Sequence, residues 1–112
     1  MFRWLTRLSA FLLLVAATSG YCAEDPFWID VRSEGEYQSG HVSQAVNIPY
    51  TEIAARIGEI TEDKDAPIYL YCRSGRRSGI AKETLEAQGF TQVTNVGGLE
   101  DARAMAGEAA VQ

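Results

Sequence analysis

The chain has 112 residues, of which ten are basic and fifteen acidic, for a formal net charge of −5. The first 23 residues hold two of the basic side chains and no acid, so the remaining 89 carry eight basic against fifteen acidic groups, a net −7. That length suits one compact core rather than two, and that charge argues against nucleic acid or an anionic membrane surface as the partner.

The opening "MFRWLTRLSAFLLLVAATSGYCA" has the layout of a secretory signal: Arg3 and Arg7, an apolar run over 8–17, then small residues. The run is ten residues long, against the roughly 18 to 20 that cross a bilayer core. A cleaved leader over 1–23 and a periplasmic protein are therefore expected, with no stable membrane anchor. The cut falls after Ala23 or after Gly20, and residues 24–112 form the single domain. Tyr21 is too large to precede a lipidated cysteine, and with the cut after Ala23 Cys22 leaves with the leader. Cys72 is then the one remaining cysteine, in a compartment where cysteines ordinarily pair.

"FWIDVR" (27–32) reads as a buried strand. "SEGEYQSG" (33–40) starts with Ser33 and Glu36 at the spacing of a capping box, and Gly40 can end that helix. "AVNIP" (45–49) is a second, shorter strand. "TEIAARIGEI" (51–60) places Ile53, Ile57 and Ile60 on one helical face, with Thr51 as the expected N-cap. After the polar turn "TEDKDAP", the segment "APIYLYC" (66–72) is a third strand. "SGIAKETLEAQG" (78–89) predicts an amphipathic helix with Ile80, Ala81, Thr84 and Leu85 inward, Lys82, Glu83 and Glu86 outward, and Gly89 at its end. "QVTNVGG" (92–98) is a fourth strand, and the tail "DARAMAGEAAVQ" is expected as a frayed helix. Alternating strands and helices imply an α/β domain, a central mostly parallel sheet flanked by helices, with sites beyond the carboxyl ends of the strands.

Cys72 ends such a strand, and "CRSGRRS" (72–78) is expected as the turn between it and the following helix. Arg73, Arg76 and Arg77 bring three of the eight remaining cations to this one place, so the ligand should be a small anion. The N–H groups from Ser74 to Ser78 can converge on a common centre, Gly75 eases the curvature, and the helix start adds about half a positive charge. A thiol so placed should ionise below its usual value of about 8.5, and the thiolate is the nucleophilic form. The plainer alternative is an inert buried cysteine beside surface arginines. Phosphatases of the Cys-x-x-x-x-x-Arg type leave five residues between the two; here three and four separate Cys72 from Arg76 and Arg77, and Ser78 stands at the phosphatase arginine position. A thiol-redox role lacks its second cysteine.

Four signatures occur in a fixed order: "DVRSEGEYQSGHVSQAVNIP", "YCRSGRRS", "LEAQGF" and "NVGGLEDA". Together, over nearly all of 27–99, they resemble the rhodanese domain, the thiosulfate sulfurtransferase fold, in its small exported single-domain form. The resemblance implies that Cys72 takes the outer sulfur of thiosulfate as a persulfide and passes it to a thiophilic acceptor such as cyanide or a thiol. It implies that the backbone from Arg73 to Ser78 cradles that sulfur, that Arg73 and Arg76 meet the anionic donor, and that Arg77 is as much structural as catalytic. Asp30 and Arg32 are expected to brace neighbouring loops. His41 belongs to a turn element of the family, and Trp28 and Tyr71 are expected in the core. One histidine and one cysteine cannot build a metal cluster, so neither metal nor cofactor is expected. A second reading keeps the fold as a non-catalytic module that binds a protein partner or delivers persulfide sulfur to it. "LEDARAMAGEAAVQ" stands where many relatives carry a tryptophan-bearing helix, which leaves the packing of that end open.

Overall fold

A computed structural model describes residues 25–108; the expected leader with its cleavage point, and residues 109–112, lie outside them. Strands β1 (Phe27–Asp30), β2 (Val46–Asn47), β3 (Ile68–Tyr71) and β4 (Val93–Gly97) form one sheet in the order β2-β1-β3-β4, every pair parallel. Parallel neighbours need crossovers, and helices supply them: α1 (Glu34–Gln38), α2 (Ile53–Arg56) continuing as a 3₁₀ turn over Ile57–Glu59, and α3 (Arg76–Ala87). A fourth helix, α4 (Leu99–Ala106), follows β4. The register sets Asp30 opposite Asn47 and Tyr71, and Tyr71 opposite Gly97, so all four strands end along one edge.

Successive strand side chains point to opposite faces, and the core divides accordingly. Ile29, Val31, Ile68, Leu70, Cys72 and Val93 pack on one face with Ile53, Ile57, Ala81 and Leu85 from α2, the 3₁₀ turn and α3. Trp28 and Tyr71 pack on the other with Val42, Ala45 and Ala102 of α4. Because both faces are covered, the strands read as continuous apolar runs rather than alternating ones. The same alternation places Cys72 on the α3 side of the sheet.

The elements expected from sequence are present, with four differences. Thr51 is not an N-cap: Glu52 occupies that position without a side-chain cap bond, and regular helix lasts only from Ile53 to Arg56. Arg56 holds Glu52 at 2.7 Å and Glu59 at 3.3 Å along the exposed side of this short helix. Helix α3 starts at Arg76, two residues early, with Gly75 as its N-cap in the left-handed region at φ +100°. Its buried stripe is Ser78, Ala81 and Leu85, while Ile80 is exposed, one residue and about 100° round the helix from Ala81. The tail is a defined helix from Leu99, anchored by Asp101, whose carboxylate accepts the Gly98 N–H at 2.9 Å. The capping box at α1 forms as expected, Ser33 and Glu36 each bonding the other's backbone N–H.

Candidate active site

Cys72 extends β3 by one residue, its N–H donating to the Gly97 carbonyl at 3.0 Å. Its side chain is 1% exposed. The chain then turns over residues 73–75 and enters α3, so that Arg76, Arg77 and Ser78 are the first turn of that helix rather than loop. Their N–H groups are among those that have no partner inside the helix, and the turn brings such groups to the sulfur. The Gly75 N–H donates to Cys72 Sγ at 3.0 Å, and the Ser78 hydroxyl lies 3.5 Å from it.

Burial pushes the Cys72 thiol up, but the Ser78 hydroxyl and the N–H groups of Ser78, Ser74 and Gly75 outweigh it and bring the thiol down to about 7. The expected acidity is present, and it comes from the converging N–H groups expected at the helix start together with the Ser78 hydroxyl. Neutral donors pointing at sulfur carry it, and the guanidiniums are engaged elsewhere or turned to solvent. Arg77 forms a two-pronged pair with Glu36 of α1, Nη1 to Oε1 at 2.9 Å and Nη2 to Oε2 at 3.1 Å. Arg73 is 76% exposed along its side chain and reaches within 3.6 Å of the same carboxylate. Arg76 is exposed and makes no ion pair among the described residues. The Arg77 hydrogen bonds, with help from Ser33, hold the Glu36 carboxyl down at about 2.

The turn is tight enough to dictate glycine at two places. At φ +100° Gly75 occupies a region that other residues rarely adopt. Gly98 passes directly beneath the turn, where a Cβ would sit 2.5 Å from the Arg73 carbonyl oxygen.

Asp30 and Arg32 form a buried pair at the end of β1. Arg32 Nε lies 2.9 and 3.0 Å from the two carboxylate oxygens, and Nη2 lies 2.6 Å from Oδ2 and 2.7 Å from the Gly40 carbonyl. The pair ties the segment after α1 to the sheet, above the Tyr71 ring, and neither side chain bonds residues 72–78 among the described contacts. The Tyr71 hydroxyl accepts the Val42 N–H at 3.0 Å, and burial holds its proton on well above the usual range. Trp28 and Tyr71 are core residues, as expected. His41 stacks on Tyr37 with ring centroids 3.6 Å apart, its Nδ1 2.7 Å from the Tyr37 carbonyl.

Two side chains escaped the sequence-level site. Glu36 is visible there only as a helix cap, yet it is the partner of Arg77. Asn95 of β4 was assigned no role, yet it contacts both Gly75 and Ser78. A signal for it exists: at strand periodicity Asn95 shares a face with buried Val93, the face that carries Cys72 and α3.

A hollow of about 620 Å³ lies between α1 and α2, lined by Ser33, Tyr37, Asn47 and Pro49 among others, and none of its lining residues falls within 72–78. Among the described residues no three His, Cys, Asp or Glu side chains gather as metal ligands, and no helix is long and apolar enough to cross a membrane.

A family model for the rhodanese-like domain matches residues 18–104, beginning inside the expected leader. The thiosulfate sulfurtransferase PspE of Escherichia coli (strain K12) is 46% identical to this chain over 90 residues, covering 80% of this chain and 85% of that protein. The uncharacterized protein YqhL of Bacillus subtilis (strain 168) is 44% identical over 70 residues, 62% of this chain and 54% of that one. Among solved structures, a rhodanese with anions from E. coli matches with a TM-score of 0.66 at 47% identity, covering 69% of this chain and 91% of that chain.

Proposed function

This chain belongs to the rhodanese-like domain family, and from that premise we propose that it is a thiosulfate sulfurtransferase with Cys72 as its nucleophile. The Cys72 thiolate attacks the outer sulfur of thiosulfate, the S–S bond breaks, and sulfite departs with the bonding electron pair. The enzyme keeps a Cys72 persulfide whose negative charge rests on the outer sulfur. A thiophilic acceptor then attacks that outer sulfur and Cys72 leaves again as thiolate; with cyanide the product is thiocyanate. No proton is gained or lost in either displacement, so the chain needs to supply an ionised thiol, donors for an anionic sulfur, and positive charge for the donor.

The observation that carries this reading is the sulfur of Cys72 in a ring of N–H and O–H donors at the end of a parallel strand. The backbone from Arg73 to Ser78 cradles the outer sulfur, exposed Arg73 and Arg76 receive the donor, and Arg77 serves mainly to fix the turn through Glu36. Asp30 and Arg32 brace the neighbouring segment. Export follows the same family pattern: residues 1–23 form a cleavable signal, and residues 24–112 form the working domain in the periplasm. N-terminal sequencing of the protein recovered from a periplasmic fraction tests that part, with Glu24 or Tyr21 as the expected first residue.

Intact mass after brief exposure to thiosulfate tests the chemistry. The expected result is a gain of one sulfur atom that cyanide removes and that Cys72→Ser lacks. A folded protein with a titratable thiol and no mass gain would overturn the sulfurtransferase reading.

A further inference from the structure

The side chain of Asn95 makes three hydrogen bonds beside the cysteine turn. Nδ2 donates to the Gly75 carbonyl at 2.9 Å, while Oδ1 accepts from the Gly97 N–H at 3.1 Å and from the Ser78 hydroxyl at 2.6 Å. These partners fix the amide's orientation, because the Gly75 carbonyl can only accept and the Gly97 N–H can only donate. Oδ1 carries no hydrogen, so the 2.6 Å bond uses the single hydrogen of the Ser78 hydroxyl. The same hydroxyl lies 3.5 Å from Cys72 Sγ. One hydrogen therefore faces two acceptors. While it points at Asn95, the Ser78 oxygen turns a lone pair towards the sulfur.

That arrangement suits a neutral sulfur and opposes an anionic one. A protonated thiol can donate into the Ser78 lone pair, and a persulfide also leaves Sγ uncharged, since the charge has moved to the outer sulfur. A bare thiolate instead requires the Ser78 hydrogen to swing away from Asn95. We propose that Asn95 is a positioning residue that acts through Ser78, holding the hydroxyl hydrogen whenever Sγ is neutral and so setting how readily Cys72 ionises and how far sulfur loading proceeds.

The loading half of this proposal rests on the sulfurtransferase reading, and the ionisation half needs only the free thiol. The charged and titratable groups around Cys72 are Arg77 of α3, which feels the sulfur's charge, with Glu36 of α1 and Tyr50 after β2 beside it; Arg73 of the turn and Arg76 of α3, both exposed; and Asp101 of α4, beside Gly97. None of them is altered in the variants below.

The test measures the pH dependence of Cys72 alkylation by iodoacetamide in the wild-type chain, Asn95→Ala, Ser78→Ala and the double variant. Ser78→Ala should raise the thiol's pKa by about half a unit to one unit, and Asn95→Ala, by freeing the hydroxyl, should lower it by about half a unit. In the Ser78→Ala background Asn95→Ala should produce no lowering. A purely structural Asn95 predicts the opposite sign: loosening the turn weakens the N–H donors and raises the pKa in both backgrounds. That result, or no change in either, overturns the proposal. Asn95→Asp gives a second readout, because a carboxylate claims the Ser78 hydrogen more strongly; its pKa should rise, and rise less when Ser78 is absent. At fixed thiosulfate and sulfite, Asn95→Ala should also shift the persulfide balance about threefold towards free thiolate, the same half unit read as an equilibrium. Full loading in Asn95→Ala overturns the loading half. Absence of persulfide in every variant, with the alkylation pattern intact, overturns the sulfurtransferase reading and leaves the ionisation half standing.

Discussion

At Cys72 two opposing effects meet, and which one wins decides the chemistry. Burial disfavours the thiolate, while the converging donors of Ser78, Ser74 and Gly75 favour it by more. The folded-state value near 7 lies below the usual value of about 8.5. A depressed pKa stabilises the fold where the group is ionised, so the contribution is complete above the unfolded value and is lost as pH falls through about 7. Thermal melts should therefore show the wild-type chain gaining stability relative to Cys72→Ser between pH 6 and pH 9 by about 1–2 kcal/mol. Alkylation of Cys72 should follow a single titration with its midpoint near 7. The arginines divide by role. Arg73→Ala should raise the KM for thiosulfate several-fold with little change in melting temperature. Glu36→Gln should lower stability by about 1 kcal/mol, since the pair with Arg77 is about one-fifth exposed and partly screened. Cys72 and the cationic cluster were legible from spacing alone. So were the converging N–H donors, whereas the Ser78 hydroxyl and the pairing of Arg77 with Glu36 were not, because they depend on where each side chain turns after the backbone has folded.

Among the elements, α3 ties the site to the core. It presents Ser78 to the sulfur from its first turn and buries Ala81 and Leu85 below. Leu85→Ala should cost about 2–5 kcal/mol in urea unfolding through the cavity it leaves, whereas Ile80→Ser, at an exposed position, should stay within about 0.5 kcal/mol. Sequence periodicity found this helix and misassigned Ile80, because hydrophobicity alone does not fix the inward direction when small residues such as Ser78 and Ala81 form the buried stripe. Helix α2 was overextended at its start for a related reason: Thr51 has the right chemistry for a cap, but Arg56 gathers Glu52 and Glu59 and the first regular residue is Ile53. The defined helix after Gly98 was least visible, since its alanine-rich composition gives no strong periodic signal until Ala102 meets Trp28 and Tyr71 across the sheet.

At the scale of the molecule, the sheet order β2-β1-β3-β4 explains why three of the four short motifs, far apart in sequence, share one edge. Each of these ends a strand or follows one, and a parallel sheet aligns those ends, while "LEAQGF" closes α3 at the opposite edge, ahead of β4. This much is legible in the sequence, because alternating buried runs and helical patterns admit few other arrangements. A chain beginning at Glu24 should unfold in one cooperative transition, with circular dichroism and tryptophan fluorescence giving coincident midpoints, as expected for a single domain of this size. Two separate transitions would refute the one-domain assignment.

The brevity of β2 matters wherever the chain is crowded or transiently unfolded. A sheet margin normally offers a row of unmatched N–H and C=O groups to any passing strand, which is how edge-to-edge aggregation begins. On the β2 side that margin is only Val46–Asn47, and Asn47 already directs its side-chain amide to the carbonyls of Asp30 and Arg32. A second molecule gains too little there to nucleate a fibril, even though Val46 is 46% exposed.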